Sequence, residues 1–172
     1  MTEKNLRRLD LFSAALLVLW LGLAIGFAFV QAPVTFKLAE SRDVAGRIVG
    51  ASLVRLEWAA WIAFGLSLAL VWVPRWLAEF KEKDGVGPLR LWSAAALAAL
   101  LMCFASSFIV TPRMAQLRAH MAAPIDTVPQ DHPDRVAHGK AHRISTQLMG
   151  LRMLLALGLA IGVAWLPRRK DD

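Results

Sequence analysis

Four apolar stretches long enough to cross a lipid bilayer punctuate this chain, and few architectures are compatible with them. In hydrocarbon every backbone N–H and C=O must find its partner within the protein, which leaves α-helices and closed barrels. Residues 11–30 carry no charge, and about twenty residues rising ~1.5 Å each cover the roughly 30 Å of a hydrocarbon core. Residues 91–110 are also charge-free, whereas 53–76 contain Arg55 and Glu57, with Arg75 at their end, and 144–166 contain Arg152. The pattern predicts an all-α integral membrane protein, a bundle of four transmembrane helices in one domain over residues 1–172, with amphipathic helical segments in the two outer loops. Its first partner is therefore the bilayer.

Charge distribution orients the bundle. The net charge is +7, but the basic residues gather at the ends of the apolar runs, with no basic stripe interleaved with exposed aromatics. Nucleic acid is thus not an expected partner. Lys4, Arg7, Arg8, Arg75, Lys81, Lys83, Arg90, Arg168, Arg169 and Lys170 fall in short segments on one side, which the positive-inside rule assigns to the cytoplasm of a bacterial inner membrane, with both termini there. Trp72, Trp76, Trp92 and Trp165 fall at that boundary and Trp58 and Trp61 near the other, as in an aromatic belt; Trp20, mid-span, fits neither. The first run is too long for an ordinary signal-peptide core, and Pro33 would follow the cleavage-like Val30-Gln31-Ala32, so it reads as a retained span.

The outer loops are the polar parts of the chain. Residues 36–50 have no strong helix breaker before Gly46, and Met114, Leu117 and Met121 recur at i, i+3, i+7 opposite Arg113, Arg118 and His120. Such a helix either lies on the membrane surface or caps the bundle. Residues 111–143 include Pro124, Pro129 and Pro133 and too few large apolar side chains for a core of their own. Cys103 is the sole cysteine, so an intrachain disulfide is excluded. The hexapeptide Leu-Gly-Leu-Ala-Ile-Gly occurs at 21–26 and again at 157–162. Gly22 with Gly26, and Gly158 with Gly162, form small-xxx-small pairs that let helix backbones approach, either each other or a second protomer.

Two constellations can carry chemistry. Arg55, Glu57 and Arg152 are intramembrane charges, each costing ~2.5–3.5 kcal/mol at the bilayer centre, so each needs a partner or water. A Glu57–Arg152 or Glu57–Arg55 pair answers that need, as a register-fixing ion pair or as part of a solute or ion pathway, and an arginine can also snorkel to the interface. His138 and His142, at i, i+4, share a helix face if the fourth helix starts near Pro133, and Ser145, Met149, Arg152 and Met153 continue it. Two such imidazoles can ligate a transition metal, and thioether sulfur from Met149 and Met153, with Met102 or Cys103 from the third span, suits copper(I). The bland alternative is two polar residues at a membrane boundary above core methionines. Haem is disfavoured, because no histidine lies in spans one to three to supply a ligand from a second helix. No catalytic triad, phosphate loop or paired-cysteine motif is present.

Several short patterns coincide: Trp20-Leu21-Gly22, Ala32-Pro33 with Phe36, Ala45-Gly46 and Gly50, Thr111-Pro112, and His142 with Ser145. Together they resemble the bacterial four-span family named domain of unknown function 4149, which is similar to eukaryotic transmembrane protein 205. The family pattern places an Asn one turn after the Ser, where this chain has Met149. The resemblance implies a four-span fold without an assigned activity, and through the eukaryotic relative it hints at metal or solute handling. The leading expectation is a non-enzymatic protein that handles a metal ion or small solute at its outer face, with His138, His142, Met149 and Met153 as ligands above a polar floor of Arg55, Glu57 and Arg152. The alternative is a structural or assembly subunit whose glycine faces pack against a second copy or a partner membrane subunit. Transport by so small a chain would call for a homodimer.

Overall fold

The computed structural model describes residues 3–77, 87–121 and 123–166. Lys81, Lys83, Arg168, Arg169 and Lys170, used above to orient the chain, lie outside the described residues. Four helical rods, each long and apolar enough to cross a membrane, make up the fold, and no strand occurs among the described residues. The first rod is α1 (Glu3–Gly26), a π-helical segment (Phe27–Gln31) and α2 (Ala32–Leu38). The second is α3 (Arg42–Leu77). The third joins α4 (Gly87–Phe104) through a π segment (Ala105–Val110) to α5 (Thr111–His120), and the fourth is α6 (Pro133–Gly162) with a closing 3-10 turn (Val163–Trp165). This is a multi-pass membrane protein.

The rods overrun the apolar stretches. Ser41 accepts a hydrogen bond at its Oγ from the Val44 N–H (3.2 Å), capping α3 well before the second apolar run begins. Residues 42–52 are therefore the first turns of the spanning helix and not a separate loop segment. Likewise α5 continues the third span beyond its end; it is neither laid on the surface nor detached. Helix α6 begins at Pro133, whose missing N–H costs nothing at a first helical position, behind His132, whose Nδ1 accepts from the Asp134 N–H (3.2 Å).

Both π segments have the same cause. Pro33 and Pro112 lack an N–H and would drive their rings into the carbonyls four residues back, Phe29 and Phe108. Widening the preceding turn relieves this, so the Ala32 N–H reaches back to the Phe27 carbonyl and the Thr111 N–H to that of Ser106.

In the bundle α1 packs on α3 and α6, and α4 packs on the same two helices from the other side. Alanines at the crossings (Ala24, Ala60, Ala96, Ala99, Ala156) are fully buried and let the helices approach, around Leu17, Trp20, Phe64 and Trp92. Large apolar side chains such as Leu19, Leu23, Ile62, Leu101 and Leu154 point outward, the pattern expected when lipid and not water surrounds the bundle. Trp20 is a core residue: its Nε1–H donates to the Leu56 carbonyl (3.3 Å) and its ring packs on Phe64. Trp92 is also core and not belt, with its Nε1–H on the Leu159 carbonyl (2.9 Å).

The glycine pairs do not join the first and fourth spans. A Cβ built at Gly22, Gly26 or Gly158 would meet nothing within 4 Å, so these face open space. Only Gly162 makes a close approach, leaving room for Trp92 Cδ1 3.2 Å from where its Cβ would sit. Gly158 borders an apolar groove of about 510 Å³ between α4 and α6.

Candidate functional site

Among the described residues, two ion pairs are buried in the bundle. Near the chain ends, Asp10 of α1 and Arg75 of α3, 2% and 1% exposed, form a two-pronged bond (both 2.8 Å). Sequence reading took Arg75 for an interfacial cation and passed over Asp10. The available signal was depth: Asp10 heads the first apolar run and Arg75 closes the second, and antiparallel neighbours bring such positions together.

Deeper in, Glu57 of α3 (7% exposed) receives both terminal nitrogens of Arg152 of α6 (1% exposed), Nη1 on Oε2 at 2.6 Å and Nη2 on Oε1 at 2.5 Å. The Ser106 hydroxyl donates to Oε1 (2.9 Å) and the Ser107 hydroxyl reaches Oε2 (3.5 Å). These serines are consecutive, and they sit in the π segment, whose wider turn aims both at one carboxylate. Arg152 also donates to Cys103 Sγ (3.4 Å), and its guanidinium carbon lies 6.0 Å from the centre of the Trp20 ring. Arg55 does not join this cluster. It is exposed and donates to the Ala51 carbonyl one turn back on its own helix (2.9 Å), which leaves Glu57 and Arg152 as the polar centre. A cleft of about 210 Å³ reaches Glu57 from the side between Trp58, Trp61 and Phe108.

His138 and His142 lie in a different place, at the end of the bundle away from the chain ends. There a groove of about 300 Å³ opens between α3, α5 and α6 and the segment that joins the last two. Helix α6 contributes Arg135, His138 and His142, α5 contributes Met114 and Arg118, and α3 contributes Arg42, Gly46, Val49, Gly50 and Leu53. Arg118 donates to Asp43 (2.9 Å) while lying flat over Gly46, where a Cβ would come within 3.0 Å of both terminal nitrogens. Glycine at 46 is what lets the guanidinium seat on the helix. Arg135 donates to the Val128 carbonyl and pins the connecting segment, and Arg42 lies 3.9 Å from Asp126. His138 precedes the apolar part of α6. Its partial burial, then Arg118, then His142, hold its pKa below the usual imidazole value.

The four proposed metal ligands are therefore not one set. The imidazoles face the groove, Met149 is buried in the bundle core, and Met153 packs against that core. Among the described residues no three His, Cys, Asp or Glu side chains cluster as a metal site. The groove arginines went unrecognised in sequence because Arg42, Arg118 and Arg135 are far apart in the chain.

The model of one family, the domain of unknown function DUF4149, matches residues 15–123. The chain belongs to the DUF4149 family. The matched part of this DUF4149 chain holds Glu57, Ser106 and Ser107, together with Gly46 and Arg118, whereas Arg152, His138 and His142 follow it. No curated protein and no solved structure matches the chain.

Proposed function

We propose that this DUF4149 protein is a non-enzymatic, multi-pass protein of the bacterial inner membrane, with both termini cytoplasmic, that binds a small anionic solute in the groove at its outer face. The observation that supports this reading is the groove itself: a concavity of ligand size into which Arg42, Arg118, Arg135, His138 and His142 converge over apolar walls. Three guanidinium charges stand against the carboxylates of Asp126 and, behind Arg118, Asp43. That balance favours an anion over the metal ion suggested by the histidine spacing, since a divalent cation there would sit among arginines.

The test is binding of inorganic phosphate and of small organic phosphates to detergent-purified protein, wild type beside Arg118→Gln and His138→Ala, His142→Ala. Saturable binding that weakens in both variants is expected. Near-stoichiometric copper or zinc in the purified wild type, lost in the double histidine variant, would overturn the anion reading in favour of a metal.

A second reading has an observation of its own, the outward-facing Gly22, Gly26 and Gly158. They fit a subunit that packs these faces against a second copy or another membrane protein. Crosslinking in native membranes that yields only uncrosslinked chain would count against it.

A further inference from the structure

The groove is graded along its length, and the gradient says more than its charge. On α3 the lining positions are Arg42, Gly46, Val49, Gly50 and Leu53, one stripe of a single helix face. From Arg42 to Leu53 it descends roughly 16 Å at ~1.5 Å per residue, from the charged end of the helix to the start of its apolar run. Helix α6 repeats the order, with Arg135 first and His142 just above Ile144, where its apolar part begins. On α5, which runs the opposite way, Arg118 is at the charged end and Met114 below it. The three guanidinium groups are thus collected at one end of the groove. Below them, beside His142, the α3 and α5 walls are Val49, Leu53, Met114 and the bare backbone of Gly50.

A water-soluble anion uses the upper half of such a site and leaves the lower half apolar and empty. An amphiphile uses both. We infer that the groove takes one anionic phospholipid from the adjoining leaflet, its phosphate between Arg118, Arg42 and Arg135 and the upper part of an acyl chain along Val49, Gly50 and Leu53. This rests on the outer-groove reading above and narrows its ligand class.

Each part of the lining then has a task. Guanidinium groups make paired hydrogen bonds to phosphate oxygens, and the two imidazoles supply further donors beside them. The apolar stripe keeps an acyl chain out of the polar layer, which for a lipid entering sideways continues the hydrocarbon it leaves. Gly46 holds Arg118 flat against α3, so the phosphate seat stays open above the tail channel. An anion-selective lipid site is the outcome.

Native mass spectrometry of the full chain, released from detergent with added phosphatidylglycerol or phosphatidylethanolamine, tests this. Soluble glycerol phosphate is titrated in parallel. Wild type is expected to retain phosphatidylglycerol over phosphatidylethanolamine by about tenfold or more, and to bind glycerol phosphate far more weakly than the lipid. Arg118→Gln with Arg135→Gln should remove the preference between the two lipids. Leu53→Gln should weaken lipid retention and leave glycerol phosphate unchanged, which a merely misfolded variant would not do.

Equal retention of the two lipids by wild type would overturn the inference, as would an unchanged preference in the arginine variant. Glycerol phosphate binding as tightly as the lipid would overturn the amphiphile and leave the small-anion reading standing. Binding of neither probe would overturn both.

Discussion

Removing one member of the Glu57–Arg152 pair should unfold the bundle far more readily than removing both. In Arg152→Met the carboxylate loses its countercharge and two of its four donors, keeping only the Ser106 and Ser107 hydroxyls. In Glu57→Leu the guanidinium keeps Cys103 Sγ and the Leu148 carbonyl, neither of which carries charge. Stranding one buried ion costs about 3–5 kcal/mol, roughly a hundredfold or more in the ratio of folded to unfolded protein. Replacing both partners by apolar groups of similar size is often neutral or stabilising. The double variant Glu57→Leu, Arg152→Met should therefore lie within about 1–2 kcal/mol of wild type, a coupling of ~3 kcal/mol or more. Unfolding in mixed micelles of mild detergent and dodecyl sulfate, followed by far-ultraviolet circular dichroism, measures all four corners of the cycle. Two results refute the reasoning: single variants within about 1 kcal/mol of wild type, or a double variant whose loss equals the sum of the singles.

Three further outcomes follow from the geometry. Gly46→Val places a side chain where the Arg118 guanidinium lies, so anion binding should fall about tenfold, while Gly50→Ala, with nothing within 4 Å, should leave it unchanged; phosphate titration reads both. Gly22→Ala with Gly26→Ala meets no neighbour and should raise the stability of the isolated chain by up to ~0.5–1 kcal/mol per site through helix propensity; a loss of stability in micelle unfolding would mean that the face is covered. His138 should titrate below an ordinary imidazole, and Arg118→Gln, by removing a neighbouring cation, should move its midpoint upward; nuclear magnetic resonance of labelled histidine follows this, and a downward move would contradict it.

The spans were legible because lipid imposes a one-dimensional rule: length and apolarity decide. The limits of the helices were not, since Ser41 and Pro133 start α3 and α6 in polar sequence that hydropathy does not mark as spanning. The need of Glu57 and Arg152 for partners was readable from the cost of their charge, but sequence left the choice between Arg55 and Arg152 open. It is settled by helix phase: Glu57 faces α6, while Arg55, two residues earlier, points outward. Ser106 and Ser107 escaped notice because two consecutive hydroxyls converge on one carboxylate only when the turn carrying them widens, and the signal for that widening, Pro112, lies several residues away. The groove needed three dimensions, for its arginines come from three helices.

The core and the groove are connected by which helices the ion pairs join. Asp10–Arg75 fixes α1 against α3, and Glu57–Arg152 fixes α3 against α6, with the third rod tied in through Cys103 of α4 and Ser106 of its π segment. A slide of one helical turn, about 5.4 Å, would separate both charges of a pair in a medium that offers no water to replace the partner. Apolar helix faces in lipid resist such sliding weakly, because neighbouring registers bury similar surfaces. The ion pairs supply the missing discrimination. Helices α3 and α6 are also the two long walls of the arginine-lined groove, so the pair that locks their register holds Arg42, and with it the Arg118 that α5 seats on α3 through Asp43, opposite Arg135 and His138. On the proposed reading of the groove, the buried Arg–Glu pair thus contributes to recognition by keeping the groove formed before a ligand arrives.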